Sequence, residues 1–85
     1  MKIKEGFILR EVAGDTVVMP GADMDLNAMI TLNETGAFLW KLLEQETTVE
    51  ELVAAIIKEY NIDEQTAKTA AEGFVEKLKS YEFLA

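Results

Sequence analysis

The hydrophobic period of the chain changes within one twelve-residue stretch, Leu32 to Leu43, LNETGAFLWKLL, and this change constrains everything on either side of it. Upstream, Leu26, Ala28, Ile30 and Leu32 alternate with Asn27, Met29 and Thr31, the period of two expected of a strand with one buried face. Downstream, Phe38, Leu39, Leu42 and Leu43 recur at helical spacing. Asn33 stands where an N-cap is needed, and Glu34 puts a negative charge in the first turn. Before the stretch the chain reads as β; after it, as α. Trp40, the only tryptophan, falls on the flank of the apolar helical face and is large enough to bridge two layers of a small core.

The rest of the chain fits around this switch. Phe7 to Ala13 predicts a first strand, Gly14-Asp15 a two-residue hairpin connection and Thr16 to Met19 the returning strand, stopped by Pro20-Gly21. A polar loop to Asp25 leads into the third strand, Leu26 to Leu32. The even-numbered positions of that strand suit a core and the odd-numbered ones suit water or a partner, with Met29 an apolar exception of a kind common on surfaces. Thr48-Val49-Glu50-Glu51 is a capping box, and Thr47 offers a cap one residue earlier. Behind it Val49, Leu52, Val53, Ile56, Ile57 and Tyr60 share one helical face.

Asp63 caps a third helix, whose inner face holds Ala67, Ala70, Ala71, Phe74, Val75 and Leu78. Gly73 weakens that helix by about 1 kcal/mol relative to alanine. The alanines make the first half of the face shallow, so that another backbone, from the same domain or from a partner, can approach closely. Phe83 and Leu84 are expected to fold back over the end of the core. A β-meander followed by three helices makes the fold α+β, in one domain spanning residues 1–85.

Composition removes most chemistry. Without histidine or cysteine there is no imidazole base, no thiol nucleophile, no disulfide and no zinc site of the usual type, so the residues predict a non-catalytic chain with no cofactor and no metal. The acid pairs Glu50-Glu51 and Glu72-Glu76 lie opposite the apolar faces and read as solvated surface. Gly14, Gly21, Gly36 and Gly73 form neither a phosphate-binding loop nor a dinucleotide fingerprint. An acyl-carrier reading fails because Ser80, the only serine, stands in Lys79-Ser80-Tyr81. MKIKEGF lacks an apolar signal core, and no apolar run approaches the roughly 20 residues that span a bilayer, which predicts a cytoplasmic chain with no membrane contact. The net charge of -8 argues against nucleic acid, because a phosphate backbone is held by clustered Lys and Arg. Those acids keep a small domain dissolved or steer a basic partner.

LNETGAFLW, with TVEELVAAIIKEY behind it and a short meander before it, resembles the PqqD family over nearly the whole chain. Members of that family are small peptide-binding domains, also called recognition elements, of pathways that make ribosomally synthesised, post-translationally modified peptides. The resemblance implies a winged helix-turn-helix fold. Its third helix would occupy the position that reads DNA in related folds, but here it carries Glu64, Glu72 and Glu76 beside Lys68, Lys77 and Lys79. That mixture suits a phosphate backbone poorly, and fold does not fix function.

In families of this kind the leader of a precursor peptide adds as a strand beside the third strand and rests against the third helix. Carried over, this implies Asn27, Ala28, Met29, Ile30, Thr31 and Leu32 as the pairing edge, and Ala67, Ala70, Ala71, Phe74 and Val75 as the floor. No proline or charge interrupts Leu26 to Leu32, so nothing in that stretch blunts its edge. The resemblance implies an adaptor that delivers a leader-bearing precursor to a modifying enzyme such as a radical S-adenosylmethionine (radical SAM) protein. The alternative is a structural or regulatory winged-helix module that pairs with another protein or with itself as a homodimer.

Overall fold

A computed structural model describes residues 1–22, 24 and 29–85. It contains a three-stranded antiparallel sheet followed by three helices, the expected α+β arrangement. Strand β1 (Phe7–Val12) pairs with β2 (Asp15–Pro20), with Val12 opposite Asp15 and Phe7 opposite Pro20. The connection is Ala13-Gly14, one residue earlier than the Gly14-Asp15 read from the sequence. Both residues have positive φ, 52° and 87°, as a type I′ turn requires at its two central positions. Glycine adopts this conformation freely; alanine does not, and the twist of the paired strands holds Ala13 there.

Strand β3 (Ile30–Leu32) pairs antiparallel with β2, placing Ile30 opposite Val18 and Leu32 opposite Thr16. The sheet order is β1-β2-β3, which leaves β3 on an edge. Ile30 and Leu32 are buried and Thr31 is exposed, the alternation that the sequence requires. The described strand is shorter than Leu26 to Leu32: Met29 lies just outside it and is exposed, while Leu26, Asn27 and Ala28 lie outside the described residues.

Each helix begins on the residue that its sequence provides. In α1 (Glu34–Leu43) the side chain of Asn33 accepts from the Gly36 N–H at 2.8 Å. The approach is close, for a Cβ at Gly36 would stand 3.2 Å from the capping oxygen and 3.4 Å from the Leu32 side chain. Thr48, and not Thr47, caps α2 (Val49–Tyr60), accepting from the Glu51 N–H at 3.2 Å while its hydroxyl donates to the Glu51 carboxylate. Thr47 instead turns inward and is buried, its N–H donating to the Met1 carbonyl. Asp63 opens α3 (Glu64–Ser80), accepting from the Thr66 N–H at 3.0 Å and the Thr66 hydroxyl at 2.6 Å.

The core is the space shared by these caps. Val18, Ile30 and Leu32 from the sheet meet Leu39, Trp40 and Leu43 of α1, Leu52 and Ile56 of α2, and Ala67, Ala71, Val75 and Leu78 of α3. Trp40 is not on the flank of its helix but fully inside, whereas Phe38 and Leu42 are only half-buried. The stripe is turned toward Trp40 because aromatic partners lie on that side. Phe7 and Phe83 both meet the indole edge-on, at centroid distances of 5.2 and 6.1 Å, and meet each other at 4.5 Å. Phe38 instead packs edge-on against Tyr60 at 5.6 Å.

Phe83 folds back as expected, and a strap holds it in place. Lys4 N–H donates to the Phe83 carbonyl at 2.9 Å, Ala85 N–H to the Lys2 carbonyl at 2.8 Å, and Ile3 N–H to the Leu43 carbonyl at 2.8 Å. Residues 2–4 therefore tie the end of α1 to the C-terminal turn, and Ile3 is buried beneath them. Among the described residues no helix is long and apolar enough to cross a membrane.

Candidate functional site

Two strand edges are exposed by the order β1-β2-β3, and they differ in chemistry. The β1 edge carries Arg10 and Glu11, the kind of charges that blunt an edge against further pairing. The β3 edge, Ile-Thr-Leu, carries none. Register shows which of its backbone groups are free. Hydrogen-bonded pairs alternate along an antiparallel ladder. The Val12–Asp15 pair closes a two-residue turn, where the carbonyl before the turn accepts from the N–H after it. Counting on from Asp15, β2 turns the backbone groups of Thr16 and Val18 toward β3, where they face Leu32 and Ile30. Thr31 consequently points its N–H and C=O away from the sheet.

A groove of about 410 Å³ runs beside this edge. Thr31, Leu32 and Asn33 form one wall, Gly73, Phe74 and Lys77 of α3 form the other, Gly36 lies between them and Asp15 stands at the hairpin end. The walls follow from local folding. Asn33 ends β3 and caps α1 in one residue, which fixes the strand edge relative to the helices. Helix α3 buries Ala67, Ala71, Val75 and Leu78, and this stripe sets its rotation. The flank at Ala70, Gly73, Phe74 and Lys77, spaced i, i+3, i+4, i+7, is thereby left beside β3. The walls are mixed, Leu32 and Phe74 supplying the apolar surface and Thr31 and Asn33 the polar, with one charge of each sign, Asp15 and Lys77.

The residues predicted as a site thus fall into three groups. Thr31, Leu32 and Phe74 are brought together on the groove. Ile30, Ala67, Ala71 and Val75 are core residues behind it; Ala70 is half-buried on the groove flank of α3, and Met29 is exposed at the end of β3. Asn27 and Ala28 lie outside the described residues. Sequence reasoning missed Asp15, Asn33, Gly36, Gly73 and Lys77 as lining residues. The signal for two of them was present: Gly73 and Lys77 complete the second i, i+3, i+4, i+7 stripe of α3, beside the buried one.

Other features point to no chemistry of their own. A larger groove, about 610 Å³, opens between Leu9 of the hairpin and the Phe38–Tyr60 pair, with Arg10, Lys41, Glu34 and Glu59 mixed around it. Of β3 it touches Leu32 but not Thr31, whose backbone groups point away from the sheet. Among the described residues no three acids converge as a metal site. The carboxyl of Asp63 is held below the usual carboxylate range by the Thr66 hydroxyl first and the Thr66 N–H second. These are the bonds of a helix cap.

The family model for coenzyme PQQ synthesis protein D (PqqD) matches residues 7–84. The chain belongs to the PqqD family. Two solved structures resemble this PqqD-family chain. "TbiB1 in Complex with the TbiA(beta) Leader Peptide" is 27% identical, with a TM-score of 0.77 over 99% of this chain and 94% of that one. "Lasso peptide synthetase B1 complexed with the leader peptide" is 16% identical, with a TM-score of 0.71 over 93% of this chain and 89% of that one, a likeness of fold. No curated protein matches.

Proposed function

We propose that this chain is a non-catalytic recognition domain that binds the leader of a ribosomally synthesised precursor peptide by strand addition at β3 and presents it to a modifying enzyme, such as a radical SAM protein. The carrying observation is the uncharged edge at Thr31 running beside the groove at Phe74. Membership in the PqqD family and similarity to two structures that hold leader peptides support the reading.

Energetics assign a role to each wall. The described β3 edge offers the N–H and C=O of Thr31, and each backbone hydrogen bond gives about 1 kcal/mol net, while ordering each peptide residue costs about 1 to 2 kcal/mol. Pairing alone therefore does not hold a peptide. Micromolar affinity corresponds to about -8 kcal/mol, so apolar side chains must be buried in the groove at about 25 cal/mol per Å². The Phe74 ring, half-buried in the free protein, is the surface that such a side chain would cover.

The test is isothermal titration of the leader from the precursor peptide encoded nearest this gene. Micromolar binding is expected for the native chain. Thr31→Pro removes a donor from the free edge and leaves the Ile30 and Leu32 bonds to β2 intact, so it should stay folded and bind at least about tenfold more weakly, roughly 1.4 kcal/mol. A folded Thr31→Pro protein that binds as tightly as the native one would remove strand addition at β3.

A further inference from the structure

Gly73 has no structural reason to be glycine. It lies in the interior of the 17-residue helix α3, where glycine costs about 1 kcal/mol relative to alanine. The glycines of positive φ are Gly6 and Gly14, so its backbone does not require the exception. A Cβ built on it meets nothing within 4 Å, so no neighbour needs the room either. The unused space opens into the groove, where Gly73 faces the β3 wall with Phe74 and Lys77 beside it.

We propose that Gly73 is a specificity-determining residue: its bare helical turn is the socket for one bulky apolar side chain of the added peptide strand. The inference rests on the strand-addition reading. A strand paired to Thr31 points alternate side chains toward the same face as Ile30 and Leu32, which is the face covered by the helices. The side chain facing α3 meets backbone at Gly73 and a ring at Phe74, so a Leu- or Phe-sized group fits deeply where any residue larger than glycine would shorten the socket. The Lys77 stem can cover the rim while its ammonium stays in water.

The test is a mRNA-displayed library of random twelve-residue peptides selected separately on the wild-type chain, Gly73→Leu and Thr31→Pro. Wild-type selections should share one large apolar residue. On Gly73→Leu the same position should shift to Gly, Ala or Ser. A wild-type-selected peptide should bind Gly73→Leu at least tenfold more weakly and regain affinity when its large residue is replaced by Ala. Gly73→Ala should melt higher than wild type yet bind that peptide more weakly, which separates the effect from unfolding. If Thr31→Pro abolishes binding but Gly73→Leu selects the same residue as wild type, the socket is wrong and strand addition stands. If Thr31→Pro binds the selected peptides unchanged, or if no peptide is enriched on wild type, both readings fall.

Discussion

Replacing Phe83 by Ala should come close to unfolding the domain. The ring is fully buried, 4.5 Å from Phe7 and 6.1 Å from Trp40, and the backbone carbonyl of the same residue accepts from Lys4. Truncating a buried phenylalanine costs about 3 to 5 kcal/mol, and a domain of this length has only about 4 to 13 kcal/mol in total. At about 4 to 8 °C per kcal/mol, the midpoint should fall by about 12 to 40 °C. Trp40, at 1% exposure in the same aromatic cluster, is the natural reporter, so urea and thermal melts followed by its fluorescence are the assay. Phe38 supplies the internal control. It is only half-buried and touches Tyr60 rather than the cluster, so Phe38→Ala should cost about half as much. Phe83→Leu keeps most of the volume and should cost below about 1.5 kcal/mol, which leaves a folded variant to measure. Equal or larger damage from Phe38→Ala would show that stability is centred on the α1–α2 contact and not on the aromatic cluster.

Ala13→Asn should raise stability by about 1 kcal/mol, read as a higher urea midpoint, because Ala13 holds a left-handed φ of 52° that asparagine tolerates better. A lower midpoint would contradict the turn assignment. Asp63 should titrate below the ordinary carboxylate range by carbon-detected NMR. Its depressed folded pKa means that its contribution is complete above the unfolded value and is lost as pH falls through the folded one. Asp63→Asn should therefore narrow the stability gap to wild type in acid, and a gap that is constant from neutral pH to pH 2 would show that the Thr66 bonds contribute nothing.

Local chemistry was legible in the sequence; long-range closure was not. Asn33, Thr48 and Asp63 cap their helices because the capping signal is complete within four residues. The hairpin turn was displaced by one residue because Gly14 serves equally as the first or second central position, and only the register of β1 against β2 decides. Trp40 was misplaced for a related reason. Its helix offers two overlapping apolar stripes, and the choice was made by Phe7 and Phe83, which lie 33 and 43 positions away in sequence (40 − 7 and 83 − 40). The strap at residues 2–4 is held by backbone hydrogen bonds, which leave no mark in side-chain pattern. On α3 the face was visible, but the partition between core and groove was not. It depends on which stripe the other helices cover, and α3 packs chiefly against α2, with Ala67, Ala71 and Val75 buried and Phe74 left half open.

An open strand edge is an aggregation hazard, and the way this fold contains that hazard follows from the same features that make the edge usable. The described strand is three residues long, so a second copy would find few bonds to form. The groove beside it contains a phenylalanine ring and a bare helical turn, and it rewards only a chain that brings an apolar side chain to that spot. A second copy brings instead a β3 edge whose own apolar residues, Ile30 and Leu32, are already buried, together with another net charge of -8. Pairing between copies would gain a few hydrogen bonds of about 1 kcal/mol each against that repulsion and the lost translational and rotational freedom. A short peptide with one large apolar residue and little negative charge gains the same bonds and adds burial against Phe74. The discrimination lies in what accompanies the backbone, since the backbone itself offers the same donors and acceptors to any strand.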